Sequence, residues 1–285
     1  MNKKNKIKNN LSPSFFITES IIFLTTQFLG LFTAWKLYNV PEMKEVIAEQ
    51  DISTTRFLII FFISTAILFT LTKVIKKRGI FGVFFYLMIF FGSLVFFDTF
   101  LPIYLTLAFS IGLPILRYFY PKVITQNLAI VISIIGASSY LGLGLTSLQV
   151  LILLIVLSVY DVIAVHFSGH MVSMFKNLAQ GGAIFSIIIP SKFKNLSAKI
   201  KEKGINTSGD FMYLGTGDLA FPLIFSASLL KENIVASLFV IFGSFLGVNL
   251  IYAYFYITKT RKPVAALPPI AFGCILGYLL SFLIK

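Results

Sequence analysis

Charged side chains, cysteine and histidine are scarce in this chain of 285 residues. Only 12% of the residues are charged, whereas 57% are hydrophobic, 32 are phenylalanine and the mean hydropathy is +0.90. Such a composition excludes an ordinary water-soluble domain. The single cysteine, Cys274, excludes an internal disulfide and a cysteine-cluster metal site. The sequence also lacks a His-Glu-x-x-His motif, so a metalloprotease of the zincin type has no support.

Long apolar runs dominate the sequence. Each run has about 20 residues, enough for a helix to cross a hydrocarbon core of about 30 Å. Uninterrupted runs favour helices over a β-barrel, whose strands alternate over about 10 residues. The pattern predicts an all-α polytopic membrane protein with about nine transmembrane helices. These predicted spans are Phe15–Tyr38, Phe57–Ile75, Phe81–Phe97, Phe100–Phe119, Ile124–Leu145, Leu148–Phe167, Phe211–Leu230, Ile234–Ile257 and Val264–Ile284.

The formal charge of +13 is distributed unevenly between the two sides of these spans. The side that holds the amino terminus carries 19 of the 24 basic residues. The positive-inside rule therefore places the amino terminus in the cytoplasm and the carboxyl terminus outside the cell membrane. The basic excess reflects topology first and attraction to anionic membrane lipid second, and it predicts no nucleic-acid partner. We interpret Phe15–Tyr38 as a first anchor because it is too long for a signal-peptide core.

The predicted organisation is one integral membrane domain. Residues 1–167 hold the first six helices, residues 168–209 form a cytoplasmic loop, and residues 210–285 hold the last three helices. The loop contains an isoleucine-rich segment, Gly181–Pro190, whose apolar core is too short to span a membrane. Two interpretations remain open for it: a re-entrant or buried loop, or a strand or lid to which an unwound substrate could add a strand.

Ionisable residues inside spans are costly, about 2.5–3.5 kcal/mol at a helix centre, and so tend to mark function. Glu19 lies about one turn inside the first span, where we expect it to snorkel to the interface or to pack. Asp98 and Arg117 fall at span ends, where we expect solvated loop positions. Asp161 and Asp218 are the two that remain.

Topology brings Asp161 and Asp218 together. The sixth span runs towards the cytoplasm and the seventh runs away from it, so both carboxylates are expected about 10 Å below the cytoplasmic interface. Two neighbouring carboxyls cannot easily both ionise, which leaves one acid and one base at neutral pH. Such a pair can activate a water against a peptide carbonyl and protonate the leaving amine. Gly215 and Gly217 have no side chains, so the backbone just before Asp218 is open to a substrate or to a packed helix.

Other small and polar residues are expected to serve helix packing. Gly243 and Gly247 form a small-residue face, and Asn127 and Asn249 are expected to donate hydrogen bonds between helices.

Several functions other than an aspartyl protease can be considered from the same residues and from the histidines and serines. A proton- or cation-coupled transporter or channel also employs buried carboxylates, and the residues alone leave it as open as a protease. The carboxylates could instead only lock helices together. His166 and His170 have a spacing that suits a metal, but no third ligand is apparent. The serines of Gly136–Gly142 have no histidine placed as their base, which argues against a serine protease.

Three motifs in chain order resemble the presenilin and signal peptide peptidase family of intramembrane aspartyl proteases. They are Tyr160-Asp161 in the sixth span, Gly215-Thr216-Gly217-Asp218 in the seventh, and Ala265-Ala266-Leu267-Pro268 at the start of the ninth. The resemblance extends over essentially the whole chain. It implies an aspartic endopeptidase that cleaves transmembrane substrates and uses no cofactor or metal. The resemblance therefore favours the protease over the transporter.

The resemblance also implies roles for individual residues. Asp161 and Asp218 are then the catalytic pair. The residues that support the active site or bind substrate are Tyr160, Gly215, Thr216, Gly217, Ala266, Leu267 and Pro268. The chain has Ala265 where the family has the first proline of its Pro-Ala-Leu loop, although Pro268 and Pro269 still predict an irregular start to the last span. The cytoplasmic amino terminus is similar to the presenilin orientation, and the short chain resembles an archaeal member that works without partner subunits.

Overall fold

The computed structural model describes residues 13–49, 53–74, 78–166, 183–200, 211–258 and 264–284. Within these ranges the chain forms ten α-helices and a two-stranded sheet. The elements in chain order are α1 (Pro13–Tyr38), α2 (Pro41–Glu49), α3 (Thr54–Val74), α4 (Arg78–Asp98), α5 (Ile103–Phe119), α6 (Val123–Gly144), α7 (Ser147–His166), β1 (Ser186–Pro190), β2 (Phe211–Gly215), α8 (Thr216–Leu229), α9 (Ile234–Thr258) and α10 (Leu267–Ser281). Short 3₁₀ turns follow β1 at Phe193–Ser197 and α10 at Phe282–Ile284.

The apolar helices confirm the predicted class of all-α polytopic membrane protein. Among the described residues, 6 helices are long and apolar enough to cross a membrane, and shorter apolar helices lie at Thr54–Ile67, Ile103–Phe119 and Thr216–Leu229. The turn at residues 99–102 separates α4 from α5, as predicted for the third and fourth spans. The number of crossings and the orientation of the amino terminus stay predictions.

The prediction that the seventh span is helical from Phe211 onwards was wrong for its first five residues. Phe211–Gly215 is a strand, and the helix that follows has only 14 residues. Glycine has a low helix propensity, so Gly215 and Gly217 make a helical start at Phe211 unfavourable. The preceding aromatic and aliphatic residues instead satisfy their backbone groups by pairing with β1.

Within the predicted segment Gly181–Pro190, residues Ser186–Pro190 form strand β1, which is buried along its whole length. Gly181 lies outside the described residues, and binding of a substrate strand to this segment stays a prediction. Strand β1 pairs antiparallel with β2, in a register that sets Ser186 opposite Gly215 and Pro190 opposite Phe211. Ile187 and Ile189 belong to the main helical core, whereas Ile188 packs on the opposite face in a second cluster. Burial on both faces explains why the segment reads as a continuous isoleucine run.

The second edge of β1 is covered by side chains of α6. Asn127 acts like a neighbouring strand, since its Nδ2 donates to the Ile188 carbonyl at 2.7 Å and its Oδ1 accepts from the Ile188 N–H at 2.9 Å. Gln126 Nε2 donates to the Ile184 carbonyl at 2.7 Å. An additional strand therefore has no edge of β1 to join, and β2 is the outer strand of the sheet.

Arg117 and the two asparagines differ from their predicted roles. Arg117 is buried at 5% exposure and donates to Gln126, so the predicted solvated position was wrong. Asn127 binds a strand, and Asn249 donates to the Phe245 carbonyl of its own helix, so neither described hydrogen bond joins two helices. Asp98 is exposed at the end of α4, as predicted.

Helices α9 and α10 meet through the predicted glycine face. A side chain at Gly243 would overlap the backbone of Gly273, and one at Gly247 would overlap the backbone of Pro269. The small-residue packing prediction for Gly243 and Gly247 is therefore confirmed. This close contact fixes α10 against α9.

Candidate active site

Asp218 lies in the first turn of α8. Gly215 is the N-cap, with extended backbone angles, and its N–H donates to the Asp218 carboxylate. A hydrogen bond from the N-cap N–H to the side chain of the third helical residue is one half of a capping box. The positive end of the helix dipole also favours a carboxylate here. We expected Asp218 about seven residues inside a helix, whereas it is the third helical residue.

Gly215 permits the close approach of the Asp218 side chain. A Cβ atom added at Gly215 would lie 3.0 Å from Asp218 Oδ2, closer than ordinary van der Waals contact. At Gly217 the nearest atom would be Phe221 Cε2 at 3.2 Å, the edge of a side-chain ring. A side chain at position 215 would therefore require the Asp218 carboxylate to shift by a few tenths of an ångström.

Asp161 lies in the penultimate turn of α7 and is half-buried. Its Oδ2 accepts a hydrogen bond of 3.1 Å from the backbone N–H of Leu267. Leu267 is the first residue of α10, so this N–H has no partner within its own helix. Pro268 and Pro269 have no N–H, which leaves Leu267 as the first donor of the helix start.

The packing of α7 against α8 places the two carboxylates on adjacent helices. Helix α7 contacts both α8 and α10, which brings the three elements that carry Asp161, Asp218 and Leu267 together. Each carboxylate receives a backbone N–H at the start of a helix. Two acids on packed elements, each with a backbone donor, are the groups that paired acid and base chemistry requires.

The remaining predicted site residues surround this pair at different depths. Thr216, Gly217, Ala266 and Pro268 are half-buried next to the helix starts. Leu267 and Ala265 are buried, at 5% and 6% exposure. Tyr160 is 57% exposed, so its ring lies on the outer face of α7. The predicted irregular start of the last span is confirmed, because residues 264–266 are not helical.

Tyr213 on β2 is a packing residue of the sheet. It faces Ile188 across the strand pair and belongs to the cluster under the sheet with Val123. Burial raises the pKa of Tyr213 to about 12, so its phenol stays protonated.

Glu19 is a buried acid whose position the sequence interpretation missed. It is buried at 6% exposure in α1, so the expectation that it snorkels to the interface was wrong. The available signal was an acidic residue inside a span, flanked on one helix face by Phe15 and Phe23.

The described part of the chain offers little support for the serine-protease and metal-site alternatives. Ser139 donates to the Gly30 carbonyl at 2.8 Å and thus joins α6 to α1. His170 and the side chain of His166 lie outside the described residues, as does most of the loop 168–209.

Comparison with known families identifies the class of protein. The family model described as signal-peptide peptidase, presenilin aspartyl protease matches residues 16–285. The chain is thus an intramembrane aspartyl protease, and as an enzyme it is an aspartic endopeptidase. It belongs to the signal-peptide peptidase and presenilin family.

Two solved structures of a presenilin-family intramembrane aspartate protease share the fold. The one in space group C222 has 23% sequence identity and a TM-score of 0.63, and the match covers 94% of this chain and 99% of the other. The one in space group P2 has 21% identity and a TM-score of 0.64, with 93% and 96% covered. A search of curated protein sequences gives no significant match.

Proposed function

We propose that Asp161 and Asp218 form the catalytic pair of this protease. The observation that carries the proposal is geometric. Asp161 on α7 accepts a hydrogen bond from the Leu267 N–H at the start of α10, and α7 packs against α8, whose first turn holds Asp218. The substrates are single-span membrane proteins, which the enzyme cleaves within or near their transmembrane segments.

The reaction follows from one proton shared by two carboxyls. The ionised carboxylate removes a proton from a water, whose oxygen attacks the peptide carbonyl carbon, while the protonated carboxyl hydrogen-bonds the carbonyl oxygen. A tetrahedral intermediate forms, and a proton then passes to the leaving nitrogen as the carbon–nitrogen bond breaks. The N–H donors of Gly215 and Leu267 hold the two carboxylates in place through this exchange.

Strand β2 supports a path for the substrate. It is the outer strand of the sheet and ends at Gly215, three residues before Asp218. A substrate segment must leave its helix before a peptide bond is accessible to water. An extended segment that runs along β2 would reach the pair of carboxylates. Thr216, Gly217, Ala266, Leu267 and Pro268 then line the substrate path, with Tyr160 at its outer side.

The proposed arrangement in the cell membrane follows from charge. The amino terminus is cytoplasmic and the carboxyl terminus extracellular, and the membrane domain comprises residues 1–167, a loop 168–209 and residues 210–285. The single chain acts without a partner subunit.

The deciding experiment compares the purified wild type with Asp161→Ala and Asp218→Ala. Each is incubated with a single-span substrate in detergent and, separately, assayed for cation flux in vesicles. We expect cleavage by the wild type and loss of cleavage in both variants, with all three folded. Cleavage that persists in either variant refutes the pair, and flux without cleavage favours a transporter.

A further inference from the structure

Ser186 is a buried serine whose hydroxyl has no hydrogen-bond partner among the described residues. It is the first residue of β1 and is 2% exposed. A buried hydroxyl without a partner lowers stability, so such a group in a native structure requires an explanation, of which a role in catalysis is one. Packing alone would favour alanine at this position.

The register of the sheet directs the Ser186 side chain towards Asp218. Ser186 lies directly opposite Gly215. Directly opposed residues of an antiparallel pair project to the same face of the sheet, with their Cβ positions about 4.5–5.5 Å apart. At Gly215 that Cβ position is 3.0 Å from Asp218 Oδ2 and 3.6 Å from Asp218 Cγ. The Ser186 side chain and the Asp218 carboxylate therefore lie on the same face, next to the position that a side chain at residue 215 would occupy.

Asp218 has free capacity to accept a hydrogen bond from this hydroxyl. Apart from the chain neighbours of Gly215, it is the only described residue with atoms within 4 Å of the Cβ position, so no third side chain intervenes there. A carboxylate has about four lone-pair sites. In the described part of the chain, the Gly215 N–H is the only hydrogen-bond donor to Asp218. A donor from the β1 side would add a second hydrogen bond and fix the plane of the carboxylate.

The backbone of Ser186 is held from both sides, whereas its hydroxyl can rotate. Strand β2 pairs with β1 on one edge. On the other edge, Gln126 Nε2 lies 2.7 Å from the Ile184 carbonyl and 3.5 Å from the Ser186 carbonyl. The hydroxyl can take different staggered rotamers, which move Oγ relative to Asp218 without a change in the sheet. Catalytic hydrogen bonds are often long before substrate binds and shorten in the reacting complex.

We propose that Ser186 is a positioning residue whose hydroxyl donates a hydrogen bond to the Asp218 carboxylate and fixes its orientation in the reacting complex. The inference rests on the proposed function of Asp218 and adds a residue that acts on it. The proposed substrate path runs along the outer edge of β2, whereas Ser186 is on β1. Ser186 therefore acts through Asp218 and does not touch the substrate.

The test compares the cleavage kinetics and the stability of purified Ser186→Ala with those of the wild type. We expect kcat to fall about tenfold because a hydrogen bond to a charged acceptor is lost, and KM to stay within about twofold because the substrate path is unchanged. The melting temperature should stay at the wild-type value or rise, because the substitution removes a buried hydroxyl that has no partner before substrate binds. A purely structural serine predicts the opposite, a lower melting temperature without a specific loss of kcat.

Ser110→Ala is the matched control. Ser110 is 0% exposed and its hydroxyl also has no partner among the described residues, but it lies on α5, which packs on α4 and α6. Neither kcat nor the melting temperature should fall in this variant. Ser186→Thr keeps the hydroxyl on a residue that strands favour, and it should keep most of the wild-type kcat. A loss of kcat in Ser186→Ala that Ser186→Thr restores supports the inference.

The outcomes separate this inference from the proposed function. If the wild type cleaves and Asp161→Ala and Asp218→Ala do not, a wild-type kcat in Ser186→Ala refutes the role of Ser186. A Ser186→Ala protein that fails to fold, or that has a lower melting temperature, also refutes it, because the hydroxyl then serves stability. If the wild type fails to cleave, or either aspartate variant cleaves, the proposed function itself fails.

Discussion

Asp161 and Asp218 each receive a hydrogen bond from the backbone of a helix start. The Gly215 N–H belongs to the N-cap of α8, and the Leu267 N–H belongs to the first residue of α10. Hydrogen bonds to charged acceptors are about twice as strong as neutral ones, and backbone donors cannot change rotamer. The position of each carboxylate is therefore tied to the position of a helix.

The space beside Asp218 makes a residue-scale prediction. Gly215→Ala places a Cβ atom against Asp218 Oδ2, so the carboxylate must shift by a few tenths of an ångström. We expect cleavage to fall at least about tenfold, because small misplacements of reacting groups are costly. The measurement is the initial rate of cleavage of a single-span substrate, with the melting temperature recorded for the same preparation.

Gly112→Ala is the matched control for this variant. It also adds a methyl group to a glycine, but no atom lies within 4 Å of the new Cβ, so rate and melting temperature should stay near those of the wild type. A folded Gly215→Ala protein that cleaves at the wild-type rate contradicts the space argument.

At the scale of elements, the sheet depends on α6. Asn127 satisfies both backbone groups of Ile188 on the edge of β1 that β2 does not cover. Strand β1 in turn pairs with β2, which ends at the N-cap of α8. A side chain on one helix thus supports the strand that leads to Asp218.

This chain of contacts predicts the effect of Asn127→Leu. The substitution keeps the volume but leaves the Ile188 N–H and carbonyl buried without their partner, at about 1–3 kcal/mol for each group. We expect a lower melting temperature in detergent together with weaker cleavage.

Asn249→Leu makes the same chemical change on α9. Its Nδ2 donates only to a carbonyl of its own helix, at 2.7 Å from Phe245 O, which already takes part in helical hydrogen bonding. Stability should change by about 0.5 kcal/mol or less. Equal losses in the two variants would show that Asn127 has no special role in holding the sheet.

At the scale of the whole molecule, orientation is the main prediction to be tested. The uneven distribution of basic residues places α2 outside the cell and the 3₁₀ turn at Phe193–Ser197 in the cytoplasm. Both segments offer exposed positions for labelling, Glu42 and Lys194. Cys274 is buried at 0% exposure, so it gives little background reaction.

The measurement is labelling of intact cells with a maleimide that cannot cross membranes. Glu42→Cys should react without permeabilisation, and Lys194→Cys only after it. The reverse labelling pattern would contradict the proposed topology. It would also place water access to the site on the opposite side of the membrane.

Sequence patterns alone establish the class of this protein, and they predict Asp161 and Asp218 as its catalytic pair. Hydropathy, charge distribution and the motifs around Asp161 and Asp218 are properties of local stretches, and a bilayer makes local hydropathy decisive because each span must satisfy its own backbone. The glycine face of α9 was likewise visible as a local pattern.

The tertiary structure alone decided which groups meet around those acids. The Asp161–Leu267 hydrogen bond joins residues 106 positions apart, and the Gln27–Leu219 bond joins residues 192 apart. The short strand before Asp218, the burial of Arg117 and the placement of Glu19 all depend on partners from distant segments. Hydropathy reports which residues avoid water, whereas only the folded chain shows which polar groups they meet there.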